Sequence, residues 1–271
     1  CEPDFYYLDS AVPFAGEDQG RTGFRLFAHF YNASMARHGG RLEGVMTHKG
    51  DKGPRRAPFF EGIATFDIER GKSRSIREQA WQTDDSIGPW GYNPRVPYKD
   101  ANAVIDKLID IVSKNGNLLL NVPPRADGTF DDETVALLKR VGRWLAAHGE
   151  AIYETRPWKV FGEGPDVRMG DRDHRSPYSP ANIRFTASKD GRALYVIQMG
   201  KPRPGDRLVL ESFAADGPGA GYKIANVVIL GAAADQDPIN WVLDESGLSI
   251  AAPAVVFDEL AVVYKLVIDP H

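Results

Sequence analysis

Two acidic side chains stand at the ends of strand-like segments, where a parallel sheet would present them for chemistry. Asp9 follows the apolar run Phe5–Leu8, and Glu69 ends a second run over residues 62–68. In a barrel of parallel strands, reactive side chains come from the carboxyl ends of different strands. One carboxyl group can act as a nucleophile and another as a general acid/base. Asp9 and Glu69 are therefore candidates for a catalytic pair.

Other assignments of these carboxyl groups stay open at this point. Glu61, at the start of the second run, is the runner-up for the acid/base, and Asp67 stands behind it. Structural roles are the remaining alternatives, because Asp9 could cap the loop that follows it. For Glu69, the structural alternative is an ion pair with Arg70 or Arg74.

The segments around these residues alternate between strand-like and helix-like patterns up to about residue 158. The strand-like runs cover residues 5–9, 42–47, 62–68 and 117–122, and the helical patterns cover 21–37, 99–114 and 132–147. Alternation of this kind is typical of parallel β/α units. About four units are present, whereas a closed barrel needs eight strands. We therefore expect half of a (β/α)8-type barrel, followed by a different kind of domain.

From about residue 159 onward the pattern changes to short strands separated by turn residues. The turn Lys189–Gly191 joins two apolar runs, which is a hairpin signal. The predicted strands are 183–187, 193–199, 207–213, 226–230, 239–243 and 261–268. This spacing predicts an antiparallel β-sandwich. Tyr195 and Trp241 are predicted as core aromatic residues, with a sugar-binding surface as the alternative.

Composition limits the classes of partner and site. The chain has 271 residues, a net charge of −4 and a single cysteine, Cys1. The charge gives no reason to expect nucleic acid or an anionic membrane as a partner, and no apolar run has the ~18 residues of a membrane span. The lone cysteine and the spacing of the histidines support neither an intrachain disulfide nor a metal site. Because a strand-like run begins at residue 5, we expect the chain to be the C-terminal part of a longer polypeptide.

A longer stretch of sequence resembles one enzyme family. The segment Val112–Gly128 combines the letters SKNGNLLLN with a P-x-x-D-G loop, and a helix-end pattern W-L-x-x-x-G-E-A-I-Y follows at 144–153. Together these features resemble the retaining α-L-fucosidases of glycoside hydrolase family 29. The segment Pro3–Asp9 resembles that family's P-D-L-x-W-x-D-G motif, with Tyr7 at the tryptophan position and Ser10 at the glycine position.

The resemblance implies a fold, an activity and roles for residues. It implies the second half of a catalytic barrel over 1–158 and a β-sandwich over 159–271. It implies an exo-α-L-fucosidase that removes terminal α-linked L-fucose from fucosylated glycans by double displacement, without a cofactor. Asp9 would be the nucleophile, and Glu69 the acid/base. A periplasmic or secreted location is expected from the family, while the oligomeric state is left open.

The resemblance also implies residues that contact the sugar. Tyr7 would form an aromatic wall, and Trp90, in the segment Trp90-Gly-Tyr92, would cover the apolar face of fucose. The remaining candidates are Arg55, Arg56 and His48, with a solvated basic loop as the alternative for the two arginines. Two other functions stay open: a retaining hydrolase of a fucose-like sugar such as α-L-galactose, and a non-catalytic carbohydrate-binding protein.

Overall fold

The structure is a computed structural model that describes residues 2–9, 17–49, 62–165, 175–232, 238–253 and 260–269. Its contacts divide the chain into two compact units. The first unit comprises Cys1–Ser73, Arg77–Asp85 and Gly116–Leu119, and the second comprises Arg74–Ile76, Ser86–Asn115 and Leu120–His271. Among the described residues, no helix combines the length and the apolar character needed to cross a membrane.

A five-stranded sheet of order β1-β2-β3-β4-β5 runs through the N-terminal part of the chain. Its strands are β1 (Phe5–Leu8), β2 (Val45–Lys49), β3 (Thr65–Asp67), β4 (Trp81–Ser86) and β5 (Gly116–Asn121). The pairings of β1 with β2, β2 with β3, and β3 with β4 are parallel. The helices are α1 (Arg21–Arg37), α2 (Ala101–Val112) and α3 (Asp132–His148). All three helices, and the strands β1, β2, β3 and β5, confirm the predicted elements, with shifts of a few residues at their ends.

Strand β4 was not among the predicted elements, because its sequence lacks an apolar run. It reads Trp-Gln-Thr-Asp-Asp-Ser, and all six side chains are buried. A strand that is covered on both faces normally consists of apolar residues, so polar residues mark this strand as unusual. The sequence therefore contains five strands of the parallel sheet where the pattern showed four.

The core of the first unit lies between α1 and one face of the parallel sheet. Phe27 and Phe30 of α1 pack with Met46 of β2, and all three are buried. Tyr6 and Leu8 of β1 pack against the same cluster. Since side chains alternate between the faces of a strand, the residues between these apolar ones point to the opposite face. That opposite face carries the polar groups described below.

The second unit contains two antiparallel sheets, in agreement with the predicted change of pattern. The five-stranded sheet has the order β10-β13-β8-β7-β6, and the three-stranded sheet has the order β11-β12-β9. Their strands are β6 (Thr155–Glu163), β7 (Ile183–Ser188), β8 (Ala193–Met199), β9 (Arg207–Leu210), β10 (Ile224–Ile229), β11 (Trp241–Asp244), β12 (Gly247–Ala251) and β13 (Ala261–Ile268). Strands β6 and β12 were not predicted. Tyr195 is a core residue, as expected, and Trp241 is partly buried against the core around Trp158.

Helices α2 and α3 begin at acidic N-cap residues. The carboxylate of Asp100 accepts a hydrogen bond from the backbone N–H of Ala103, and that of Asp131 accepts one from Thr134. These bonds satisfy donors that a helix start leaves without an intrahelical acceptor. The apolar side of α3 includes Trp144, whose indole N–H donates to the carbonyl of Ala261 at 3.1 Å.

A buried ionic cluster lies on α2 in the second unit. The fully buried carboxylate of Asp110 is 2.8 Å from Lys114 Nζ and 2.6 Å from Arg184 Nε. Both cations also lie over the ring of Phe161, at 4.5 Å for the ammonium and 5.3 Å for the guanidinium. Each charge in the cluster therefore has an opposite charge or an aromatic face beside it, as buried charges require.

Candidate active site

The polar face of the parallel sheet follows from the strand register. Lys49 of β2 is opposite Asp67 of β3, and Asp67 is opposite Gln82 of β4. In parallel strands, neighbouring residues in register point to the same face, and so do residues two apart on one strand. Asp84 therefore shares this face with Gln82. Tyr7 shares it as well, because it pairs with Thr47, two residues before Lys49.

Lys49 is the centre of the cluster on this face. Its Nζ is 2.5 Å from Asp9 Oδ1, 3.0 Å from Asp84 Oδ2 and 3.4 Å from Glu69 Oε2. Its side chain is only 14% exposed. Burial alone would lower the pKa of Lys49, but its hydrogen bonds to Asp9 and Asp84 raise the pKa above its ordinary value. The ammonium is thus held in its charged form among three carboxylates.

The two carboxylates of the predicted catalytic pair meet at this ammonium. Asp9 is 76% exposed and Glu69 is 41% exposed, so both reach solvent at one edge of the sheet. The two oxygens that contact Nζ cannot lie farther apart than the sum of their distances to it, about 6 Å. This upper limit is compatible with the ~5–5.5 Å that separates the carboxyl groups of retaining glycosidases. This arrangement can supply a nucleophile and a proton donor to one bound sugar.

A second pair of carboxyl groups lies deeper on the same face. Asp67 and Asp84 are neighbours and both are buried, and Asp67 Oδ2 accepts a hydrogen bond from Gln82 Nε2 at 2.6 Å. Burial and the neighbouring Asp84 raise the pKa of Asp67 to about 7. Burial would also raise the pKa of Asp84, but hydrogen bonds from Asp67 and Lys49 lower it. Near neutral pH, Asp84 is therefore the ionised partner.

The remaining predicted site residues of the first unit differ in their placement. Tyr7 lies in the cluster, with its ring centroid 5.7 Å from Lys49 Nζ. His48 is buried on the opposite face of β2 from Lys49, and burial lowers its pKa. The structure therefore does not bring His48 to the cluster. The other three candidates, Arg55, Arg56 and Glu61, lie outside the described residues.

Glu69, for which an ion pair with Arg70 or Arg74 was the structural alternative, contacts Lys49. Arg70 instead lies 3.6 Å from the buried carboxylate of Asp85. Arg70 has a positive φ of 51°, a conformation that turns the chain sharply directly after Glu69. Glu69 thus sits at a sharp bend where the third strand has ended.

Trp90 belongs to the second unit and lies in the loop after β4. Its side chain is 43% exposed, while its carbonyl accepts from Asn121 Nδ2 at 3.1 Å. The same Asn121 amide donates to Ser86 Oγ at 2.9 Å, so the end of β5 fixes the start of this loop. The guanidinium of Arg125 lies 5.9 Å from the ring centre of Tyr92. Trp81, in contrast, is fully buried.

Sequence reasoning missed the residues that organise the cluster, namely Lys49, Gln82 and Asp84. Gln82 and Asp84 lie on the unpredicted strand β4, where they alternate with Trp81 and Thr83. This alternation was the available signal, since a period of two is typical of a strand whatever its residues are. No group of three or more acidic, histidine or cysteine side chains suited to a metal ion is found within the described part of the chain.

Comparisons with known proteins identify the family of this chain. A family model described as α-L-fucosidase matches residues 5–150. The tissue α-L-fucosidase of Bos taurus is 28% identical over 209 residues, which cover 73% of this chain and 39% of that protein. The plasma α-L-fucosidase of Homo sapiens is 26% identical over 175 residues, or 63% of this chain and 32% of that protein.

Solved structures show the same fold. The α-fucosidase of Thermotoga maritima in complex with fucose aligns with a TM-score of 0.67 at 23% identity, over 98% of this chain and 52% of that one. α-L-Fucosidase isoenzyme 1 from Paenibacillus thiaminolyticus aligns with a TM-score of 0.67 at 18% identity, over 98% of this chain and 58% of that one. The chain thus spans little more than half the length of these structures, and its matched part is a still smaller share of the curated relatives.

Proposed function

This chain belongs to the α-L-fucosidase family, and we propose that it hydrolyses terminal α-linked L-fucose by a retaining double displacement. The observation that carries the proposal is the contact of Asp9 and Glu69 with one ammonium, that of Lys49. This contact keeps the two contacting oxygens within about 6 Å of each other, a range that includes the ~5–5.5 Å of retaining enzymes. Both residues also lie within the segment that the family model matches. The substrate would be a fucosylated oligosaccharide or glycoconjugate.

In the first step, Asp9 is the nucleophile and Glu69 is the acid. A carboxylate oxygen of Asp9 attacks the anomeric carbon, and the bond from this carbon to the glycosidic oxygen breaks. Glu69 gives its proton to the departing oxygen, so the alcohol leaves neutral and a fucosyl ester forms on Asp9. The ammonium of Lys49 lies 2.5 Å from Asp9 Oδ1 and orients this carboxylate before the attack.

In the second step, water replaces the ester. Glu69, now a carboxylate, takes a proton from a water molecule whose oxygen attacks the anomeric carbon. The ester bond breaks, Asp9 returns to its carboxylate form, and fucose leaves with its original anomeric configuration. Two inversions at the same carbon give net retention.

The proposal extends to the architecture. We assign the five-stranded parallel sheet and its helices to the C-terminal half of a (β/α)8 barrel, with residues 1–158 as the barrel portion and 159–271 as a β-sandwich domain. The parallel pairings and the antiparallel sheets support this assignment. We also assign Tyr7 to the wall of the sugar site, because it lies on the same face as Lys49. The sugar contacts of Trp90, Arg55 and Arg56 stay predictions.

The nucleophile assignment is tested with a fluorinated fucosyl fluoride, which slows the second step and leaves the ester in place. We expect the mass of the intact chain to rise by one fluorofucosyl group, and peptide mapping to locate that group on Asp9. Asp4→Ala is the matched control, since Asp4 is an exposed carboxylate directly before β1 that pairs with Arg37 of α1. An adduct on another residue, or no adduct on the folded chain, would contradict the assignment.

Hydrolysis is tested with aryl glycosides. Release of 4-nitrophenol from the α-L-fucoside, lost in Asp9→Ala and partly restored by azide, would support double displacement, because the small anion can take the place of the missing carboxylate. Preference for the α-L-galactoside would favour the related activity instead. Sugar binding without any hydrolysis would favour a carbohydrate-binding protein.

A further inference from the structure

The Asp67–Asp84 pair has no role in the two steps above, although it lies on the same face as the catalytic pair. Both side chains are buried, and Asp84 touches Lys49 at 3.0 Å. A buried carboxyl group is costly to keep charged, so the neighbours of such a pair must stabilise its charge. The contacts lead from Asp84 through Lys49 to Asp9 and Glu69.

Asp67 and Asp84 are neighbouring carboxyl groups, and both are buried. Two like charges that share a buried site disfavour each other, so one of the pair holds a proton. Gln82 Nε2 donates to Asp67 at 2.6 Å, and Lys49 Nζ donates to Asp84 at 3.0 Å. The cation thus lies beside Asp84, whereas the neutral amide lies beside Asp67. This asymmetry places the proton on Asp67 and the negative charge on Asp84.

We propose that Asp84 is a positioning residue, which stays an anion because Asp67 holds the shared proton, and which anchors Lys49 between Asp9 and Glu69. The inference rests on the proposed function for the roles of Asp9 and Glu69. The anchoring itself rests only on the contacts. Asp9 is the most exposed of the three carboxylates at Nζ, and Asp84 is the most buried. Asp84 is therefore the fixed partner of Lys49. The same ammonium holds the two more exposed carboxylates, Asp9 and Glu69, on its solvent side.

The two buried residues should then differ sharply in their tolerance of amide replacement. Asp84→Asn removes the anion that fixes the ammonium, so Lys49 loses its inner partner. Asp67→Asn replaces a protonated carboxyl by a neutral amide that can still donate to Asp84, so the anion and the anchor remain. A purely structural role for the pair would make the two substitutions equivalent in their effect on Lys49.

The anchor also predicts a dependence on pH. The charged and titratable groups beside the pair are Tyr7 from the first strand and Lys49 from the second. Asp9, directly after the first strand, and Glu69, after the third, contact Lys49 from the solvent side. Because the pKa of Asp67 is raised to about 7, the pair gains a second negative charge above that pH. The ammonium is then drawn inward, away from Asp9. Asp67→Asn cannot gain this charge, so it should remove the transition.

Nuclear magnetic resonance of the lysine ammonium groups tests the anchor directly. With 15N-labelled lysine, a buried and hydrogen-bonded ammonium gives a signal that exchanges slowly with water, and Lys49→Arg identifies the signal of Lys49. We expect this signal in the wild type and in Asp67→Asn, and its loss in Asp84→Asn. Glu43→Gln, which neutralises an exposed carboxylate paired with Arg41, is the control and should leave the signal unchanged.

The rate of fluorofucosyl ester formation on Asp9 then links the anchor to chemistry. Misplacing a reacting group by about 1 Å can cost up to about a hundredfold, so we expect Asp84→Asn to slow ester formation about tenfold or more, and Asp67→Asn to slow it less. Equal losses of the Lys49 signal in the two variants, or an intact signal in Asp84→Asn, would overturn the proposal. If Asp84→Asn does not fold, a pH titration of the Lys49 signal in the wild type decides. A Lys49 signal that does not shift near pH 7 overturns the proposal. A shift that Asp67→Asn abolishes supports it.

The two proposals can fail separately. If the wild type forms no ester on Asp9 but the lysine signals behave as described, the proposed function fails and the anchor stands. If the ester forms on Asp9 and the two variants behave alike, the function stands and the anchor fails.

Discussion

Asp110 is the residue whose neutralisation should most damage the second unit. Its carboxylate is fully buried and contacts Lys114 at 2.8 Å and Arg184 at 2.6 Å. Asp110→Asn keeps the size of the side chain but leaves two buried cations without the anion between them. Breaking a buried ion pair by removing one partner typically costs ~3–5 kcal/mol. The rings of Phe161 and Tyr178, which lie near these cations, can offset only part of this cost.

The cost is measured as a shift of the thermal midpoint. For a chain of this size, 1 kcal/mol corresponds to roughly 2–4 °C, so we expect Asp110→Asn to lower Tm by roughly 6–20 °C. Glu154→Gln is the control, because it also removes one carboxylate of an ion pair, but on the surface, where Glu154 is 83% exposed beside Lys189. Exposed pairs contribute ~0–1 kcal/mol, so the control should remain near the wild type.

A small effect would refute this reasoning. If Tm of Asp110→Asn lay within about 2 °C of the wild type, the cations would not depend on Asp110 for their burial. A second substitution sharpens the test. Arg184→Met removes one of the stranded cations, so in the Asp110→Asn background it should destabilise less than it does alone, a coupling that a double-mutant cycle measures.

Three further substitutions in the second unit have defined outcomes. Burial raises the pKa of Asp106 to about 7, against 3.8 in the unfolded chain. The folded state therefore binds a proton that the unfolded chain has lost, and the free energy of unfolding falls as pH rises from about 4 to 7. Asp106→Asn should flatten this slope in urea midpoints measured across that range. Trp144→Phe leaves the carbonyl of Ala261 without its donor and should cost ~1–3 kcal/mol in urea unfolding, whereas a cost near zero would contradict the role of that bond. Gly164→Ala would place Cβ 2.0 Å from the carbonyl oxygen of Ala181 at a φ of +97°, so Tm should fall by several degrees, and an unchanged Tm would contradict this close approach.

The sequence predicted the elements whose periodicity reflects an apolar face. Helix α1 begins and ends where the pattern placed it, because Phe27 and Phe30 repeat along the side that packs on Met46. The pattern did not predict strand β4, because most of its buried side chains are polar and are paired through hydrogen bonds and ion pairs. Such partners come from other strands, and no local pattern records them.

Of the candidate site, only the residues that follow an apolar run could be predicted from the sequence. Asp9 and Glu69 follow apolar runs, so their position at strand ends could be read locally. Lys49 could not be assigned, since its role depends on three carboxylates that are distant in sequence. His48 shows that a residue next to a site residue in the sequence need not lie in the site. It is adjacent to Lys49 in sequence, but alternation along β2 sends it to the other face.

The ammonium of Lys49 has a consequence for the chemical reactivity of the chain. Reagents that acylate lysine attack the neutral amine, and the raised pKa of Lys49 makes that form scarce. Its side chain is 14% exposed, whereas that of Lys189 on the β7–β8 hairpin is 45% exposed. Acylation at mildly alkaline pH should therefore modify Lys189 long before Lys49, and a bulky acyl group will mark Lys49 only in molecules whose parallel sheet has already opened.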